Sequence, residues 1–499
     1  MAPYQESEAA SSVSSVIRHG QVDLRVGVSA RAAHHPEGMF GRMFPNLRPF
    51  APDTPEVREA LLALGAPAGL MDARDDLFPD LPPDPNNPPP GSGPPPDPEL
   101  NLNLPTGFTF LGQFLNHDMT FDPTSSLQRQ SDPAGTRNFR TPMLELDCVY
   151  GAGPTANPWL YDKRGGRVKL LLDANAPWDV PRNSEETALI ADPRNDENMI
   201  VSQLHLAFLK FHNKVVNELL RQPTPPADVF VEAQRLVRWH YQWMIVHEYL
   251  PKVVNQELVD ELLSNEYGRR FYTWRDKPFI PVEFAMAVFR FGHSEIRPAY
   301  VLKDGISRTL FINPTPFNPN PVDLSGGKRI PQDFIQWYNF FVMGNNPPPT
   351  PFMSFPIDTR ISSPLFDLPF HGADLPGNVQ SLPQRTLLRH VTFGIPSGQD
   401  IARFMAIDPL DEQELADLVP FGLEHSTPLW FYILREAKKR ANGERLGPVG
   451  SRILAEVFIG VLQGDPQSYL TQDPTWRPIF GRRTGEFTIA DLLVFAGVT

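Results

Sequence analysis

Residues 198–220 read "NMIVSQLHLAFLKFHNKVVNELL", and the spacing of their apolar side chains decides the fold class. Ile200, Leu204, Phe208, Phe211, Val215 and Leu219 follow one another in steps of three or four, which lines one face of an α-helix. Working outward, "VFVEAQRLVRWHYQWMIVHEYL" (229–250), "PVEFAMAVFRFGHSEI" (281–296) and "GPVGSRILAEVFIGVLQ" (447–463) carry the same period. The third of these four patterns is opened by Pro281 and stopped before Pro298, as helices commonly are. Strand-like alternation is scarce. The expectation is a mainly α-helical domain over residues 101–499, with long irregular connections.

Composition bounds the rest. The chain has 499 residues, 41% of them apolar, enough for a substantial core and too many for wholesale disorder. Its 56 prolines are about twice the usual share. Many fall before residue 100, notably in "FPDLPPDPNNPPPGSGPPPDPEL" (78–100), which sustains neither a helix nor a central strand. Residues 1–100 are therefore expected to form an extended Pro-rich arm packed on the core. A net charge of −13 argues against nucleic acid, whose phosphates require clustered Lys and Arg. No apolar run is long enough to span a bilayer. The first twenty residues lack the basic and apolar regions of a Sec-type signal, and Cys148 is the sole cysteine. Together these favour a cytoplasmic location.

Three stretches place polar groups among apolar ones. "LGQFLNHDMT" (111–120) sets Gln113 four residues before His117, on one helix face, with Asp118 turned away. A histidine on such a face is most often a hydrogen-bonded core residue, so this stretch alone decides nothing. "DPRNDEN" (192–198) puts Arg194 just ahead of the long helix and Glu197 at its first turn. "AVFRFGHSEI" (287–296) puts Arg290 one turn before His293, with Gly292 permitting close approach of something flat. A histidine beside a large flat group suggests iron ligation in a haem. A second histidine and an arginine facing it suit cleavage of a peroxide. That reaction needs a base to carry a proton between the two oxygens and a fixed positive charge where negative charge develops.

The chain resembles the animal-type haem peroxidases of the peroxidase–cyclooxygenase superfamily, most closely their bacterial members. The resemblance rests on "LGQFLNHDMTFDP", "ADPRNDENMIVSQLHLAFLKFHN" and "AVFRFGHSEIRP", in order and spacing. It extends through "FGRMFPNLRPF", "TPMLELDCVYGAGP", "LLRHVTFGIPSGQ" and "RLGPVGSRILAEVFIG". It implies a helical fold around haem b and a peroxidase that reduces hydrogen peroxide. The resulting oxoferryl haem would oxidise a small donor such as a halide, thiocyanate or phenol. By position, His117 matches the distal histidine, Arg194 the distal arginine, Gln113 a distal glutamine and His293 the proximal iron ligand. Arg290 lies three residues before that ligand, where the superfamily's fatty-acid dioxygenases carry a radical-bearing tyrosine. Arg389 matches an arginine near a haem propionate. Thr386 falls where the family usually has an asparagine bonded to the proximal histidine, and its hydroxyl is expected to accept that bond. Of the two carboxylates that esterify haem in vertebrate members, Asn116 replaces one and Glu197 retains the other, so at most one ester link, at Glu197, is expected. "TPMLELD" (141–147) resembles the family's calcium loop, which implies oxygen ligands from Thr141, the Met143 carbonyl, Glu145, Asp147 and Asp118. His205 and His212, and likewise His240 and His247, are spaced by seven; their counterparts lie in packed helices, so structural roles are expected. Two rivals stand beside the peroxidase reading: a fatty-acid dioxygenase, and a binding protein that keeps the fold without turnover.

Overall fold

The long helix runs over Met199–Leu220. Asn198 starts it: its side-chain oxygen accepts the Val201 N–H at 2.9 Å, satisfying one of the amides that a helix start leaves without a partner. The predicted stripe from Ile200 to Leu219 is buried throughout. Val201, Leu206, Leu209 and Val216 on other faces are buried too, so the helix is a central element rather than a surface one. Helices Gly107–Met119, Val229–Met244 and Ile489–Ala496 pack around it. Phe114 of the first stacks flat on Phe208, with ring centroids 4.7 Å apart and planes at 4°. Truncating Phe208 to alanine would cost about 3–5 kcal/mol through lost burial and the cavity left behind. It would also release the helix that carries His117.

This computed structural model describes residues 38–75, 100–122, 131–264, 268–311, 323–331, 334–344, 351–368 and 379–499. The fold is mainly α-helical. Among the described residues, two sheets of two antiparallel strands complete it. Asn101–Pro105 pairs with Met353–Ser354, and Ala299–Lys303 pairs with Ile306–Thr309. No helix among these residues is long and apolar enough to cross a membrane.

Two of the expected helices differ from a regular α-helix. The 229–250 pattern leaves α-geometry after Met244, widens into a π-turn over Ile245–Tyr249, and resumes at Leu250–Val253. The 281–296 pattern is a π-turn over Glu283–Ala287 followed by a tight 3₁₀ segment over Val288–His293, with a break at Ala287 (φ −128°, ψ −74°). Apolar spacing over so few residues does not separate turns of 3.0, 3.6 and more residues. The difference matters, because in a 3₁₀ turn residues three apart eclipse one another, which aligns Arg290 with His293.

Of the arm expected over residues 1–100, residues 1–37 and 76–99 lie outside the described residues, including nearly all of the proline run. The part that is described, 38–75, does not simply lie extended over the core. Thr54 caps a ten-residue helix, Pro55–Leu64, and Phe40, Leu61 and Leu64 are fully buried. The Glu283 carboxylate takes the N–H groups of Met43 at 3.0 Å and Phe44 at 3.2 Å, tying this segment to the turn that leads to His293.

Candidate active site

A cavity of about 590 Å³ lies against the Gly107–Met119 helix and the Val288–His293 turn. Its size is that of ligand and cofactor cavities, about 300–1,000 Å³. Gln113, Asn116, His117, Arg194, Glu197, Arg290, His293 and Arg389 all line it. Residues far apart in sequence are thus brought to one space, and Thr386 is the predicted haem contact that does not reach it.

The turn carrying Arg194 is held from several sides. The Asp192 carboxylate accepts from Arg194 Nε at 3.0 Å and Nη2 at 2.7 Å, and Arg140 pairs with it from another direction. Burial pushes Asp192 up, but the two guanidiniums outweigh it and hold it below the usual carboxylate range. Arg194 Nη2 also donates to the His117 carbonyl at 2.9 Å, and the guanidinium lies 4.4 Å over the Phe121 ring. None of these bonds uses Nη1, which leaves that nitrogen for a ligand. Arg182 grips Asp196 at 2.7 and 2.8 Å. Gly326 packs so closely that a Cβ there would fall 1.4 Å from the Asp196 carbonyl oxygen.

His117 is buried, with Nδ1 2.8 Å from the Asn195 side-chain oxygen. A carbonyl only accepts, so Nδ1 carries the proton and Nε2 keeps its lone pair. Burial first, then the charge of Arg194, lower its pKa from 6.5 to about 3, and the ring is neutral wherever the protein works. Gln113 Oε1 accepts from Asn198 Nδ2 at 2.9 Å, so the residue that caps the long helix also fixes the glutamine. Asn116 Oδ1 accepts from Thr120 Oγ1 at 3.1 Å. Burial raises Glu197 to about 7 against the pull of Arg194.

His293 is likewise lowered to about 3, by burial and then by Arg290 and Arg389. Its Nδ1 is buried without a hydrogen-bond partner. The expected acceptor is not Thr386: that hydroxyl donates to the Leu382 carbonyl at 3.0 Å, the usual back-bond of a threonine inside a helix. Instead Trp430 packs its ring against His293 at 73°, centroids 5.8 Å apart, and its indole N–H donates to the Arg290 carbonyl at 3.1 Å.

Arg290, Arg385 and Arg389 gather at one part of the wall. Burial, then Arg389 and Arg385, push Arg290 well below the usual guanidinium range, and Asp122 opposes this only in part. Arg389 is buried with Nε unpartnered. Positive charge gathered there by Arg290 and Arg389 suits an anionic ligand. A flat cofactor with two carboxylates and a nitrogen-binding metal fits this cavity: His293 can bind the metal, and the arginines can hold the carboxylates.

The calcium expectation fares differently. Thr141, Glu145 and Asp147 do meet: the Thr141 hydroxyl bonds Glu145, and its N–H donates to Asp147 Oδ2 at 3.3 Å. Asp118 is fully buried, but protein groups already serve it, namely the N–H of Leu146 at 3.1 Å, Tyr241 Oη at 3.0 Å and the N–H of Cys148 at 3.4 Å. Leu146 adopts φ +60° to aim its N–H there, a conformation that costs energy outside glycine. Met143 is half-buried. Among the described residues, no group of three His, Cys, Asp or Glu side chains is arranged to hold a metal.

Asn195, Trp430 and Arg385 were missed by sequence reasoning. Asn195 sat in view beside Arg194, but nothing in "PRND" says which way an amide points. Trp430 reaches His293 only through tertiary packing. His212 and His240 are bonded within the packed core, to Tyr150 and Val168 and to Leu236 and residues 479–480, and the exposed His247 meets Tyr469.

A family model described as animal haem peroxidase matches residues 101–332. A peroxidase-like protein of Margaritifera margaritifera is 31% identical over 230 residues, which is 42% of this chain and 28% of that protein. Thyroid peroxidase of Homo sapiens is 24% identical over 192 residues, 34% of this chain and 20% of that protein. The matches thus span 20–28% of the length of these relatives. Among solved structures, Peroxidase A from Dictyostelium discoideum superposes with a TM-score of 0.50 at 18% identity, covering 74% of this chain and 80% of that one. A fatty acid alpha-dioxygenase of Oryza sativa gives 0.56 at 13% identity, covering 93% and 79%. At such identities the structural likeness speaks for the fold alone.

Proposed function

Residues 101–332 carry an animal haem peroxidase domain, and from that premise we propose that the chain reduces hydrogen peroxide and oxidises a small donor. The observation that carries the reading is one cavity lined by His117, Arg194 and His293, with Arg290 and Arg389 on its wall, both lowered by burial against the pull of Asp122. His293 would bind the iron, and Arg290 and Arg389 the propionates. Haem, when bound, supplies the redox centre at which peroxide is activated. His117 Nε2 takes the proton from the nearer peroxide oxygen and delivers it to the departing one, which leaves as water. Arg194 Nη1 stabilises the negative charge that develops as the bond breaks. Gln113, fixed by Asn198, lines the same cavity one helical turn before this base and orients small donors or water. The tyrosine chemistry of a dioxygenase finds Arg290 at its position, which weighs against that rival.

Calcium belongs to the proposal through Asp118, Asp147, Glu145 and Thr141. Its support is the half-buried Asp147, whose Oδ1 has no hydrogen-bond partner and only a 3.7 Å ion pair with Arg140, and whose pKa is pushed well up by burial and by Asp118 against the pull of Arg140. A cation would relieve both.

The test is an absorption spectrum of the purified protein with and without peroxide. A Soret band that changes on peroxide addition is expected. In His117→Ala the change should slow by about 10² or more with the band retained. Absence of haem from protein produced with haem supplied would end the proposal. Turnover with bromide, iodide, thiocyanate and phenols would then identify the donor.

A further inference from the structure

His205 stands directly behind the distal histidine's own support. Asn195 is fully buried between two imidazoles: its oxygen lies 2.8 Å from His117 Nδ1, and its nitrogen lies 3.0 Å from His205 Nδ1. An amide nitrogen only donates, so His205 Nδ1 must accept. Burial lowers the His205 pKa to about 4, so the ring is neutral and its proton sits on Nε2, which is buried without a partner. Leaving a buried N–H unmatched lowers stability, a cost that packing alone does not require, since an apolar side chain would avoid it.

We propose that His205 is a positioning residue for the peroxide reaction: it holds the Asn195 amide so that His117 keeps its proton on Nδ1 and its basic lone pair on Nε2. Were the amide reversed, its nitrogen would face His117 Nδ1. The imidazole would then carry its proton on Nε2 and could not accept one from peroxide. With the amide's nitrogen end anchored in the core, the oxygen end stays on His117. The inference rests on the reading of His117 as the peroxide's base. It adds to that reading a residue which, by sequence, looks like packing.

The experiment uses full-length haem-loaded protein and three stopped-flow readouts: the peroxide-driven spectral change, cyanide binding to ferric haem, and carbon monoxide binding to ferrous haem. Hydrogen cyanide must lose a proton to bind as the anion, whereas carbon monoxide needs no base. His205→Leu and Asn195→Leu should slow the peroxide and cyanide reactions at least about tenfold and leave carbon monoxide binding within about twofold. His205→Gln, whose carbonyl can accept the same amide N–H, should restore much of the loss. His212→Leu removes an equally buried histidine from the same helix and should lower the melting temperature without slowing either reaction. If His205→Leu fails to hold haem, Asn195→Leu and His205→Gln carry the test. Wild-type peroxide and cyanide rates in Asn195→Leu or His205→Leu, with His117→Ala slowed, would overturn this inference and leave the proposed function standing. Wild-type rates in His117→Ala would remove the base itself, and both would fall.

Discussion

Lowering the pH from 8 to 5 should leave the rate of the peroxide-driven spectral change almost unaltered. The base must be neutral to act. Burial and the Arg194 charge place the His117 pKa near about 3, so at pH 5 about one molecule in a hundred is protonated. An unperturbed histidine, titrating near about 6.5, would at pH 5 be neutral in only about 3% of molecules and would lose about 30-fold in rate. The sign is fixed: protonation disables the base, so any loss comes on acidification, and here it falls below the range where the protein is studied. The assay is stopped-flow mixing of the ferric protein with excess peroxide at constant ionic strength, read at the Soret maximum. A tenfold or greater fall with a midpoint between pH 6 and 7, absent from His117→Ala, would refute the reasoning. It would mean that His117 is solvated when the site is loaded.

Other expectations follow from the same structure. Burial raises Glu248, whose carboxylate accepts the Ile489 N–H at 2.7 Å, to about 7 from 4.5. A raised carboxyl contributes stability present below its unfolded value and lost as pH rises through 7. Glu248→Gln should therefore gain on wild type between pH 5 and 8, by up to about 3 kcal/mol, in urea melts at the two pH values. Gly326→Ala should displace the 194–198 turn, because the added Cβ would lie 1.4 Å from the Asp196 oxygen. Circular dichroism should stay helical while the peroxide reaction is lost. If calcium binds at Asp118 and Asp147, a chelator should lower the melting temperature of wild type and not of Asp147→Asn, and metal analysis of untreated protein should find calcium. Glu197 lines the cavity while Asn116 offers an amide, so mass spectrometry after denaturation should find at most one haem ester, at Glu197 and only after peroxide. An adduct at Asn116 would show the segment misplaced.

What was legible in the sequence was periodicity and identity. The thirteen apolar residues from Asn198 to Leu220 are spaced for a helix, and the chain obeyed them because a buried stripe at that spacing has no competing arrangement. His117, Arg194 and His293 could be named because each sits in a long ordered motif, and all three do reach one cavity. Direction was not legible. Thr386 was expected to serve His293, but within a helix its hydroxyl finds the Leu382 carbonyl four residues back, a local bond that wins over a distant one. The turn before His293 looked α-helical because six residues are too few to distinguish periods. The clustering of Arg290, Arg385 and Arg389 was invisible for a similar reason: only folding brings residues so far apart in sequence to one wall.

These hidden features share a direction of argument. A chain shaped by packing alone would not set Arg290 and Arg389 together in one wall, leave His293 Nδ1 and Arg389 Nε unpartnered, and hold two histidines neutral at one cavity. Each costs stability, since a buried polar atom without a partner loses its water for nothing. Asp192 shows that the same fold can balance charge when it is free to do so, with two arginines closing on one carboxylate. The unbalanced groups therefore mark where something else completes the structure. Because they combine positive charge at one part of the wall with an imidazole at another, the missing partner must itself be anionic at its edge and bind nitrogen at its centre.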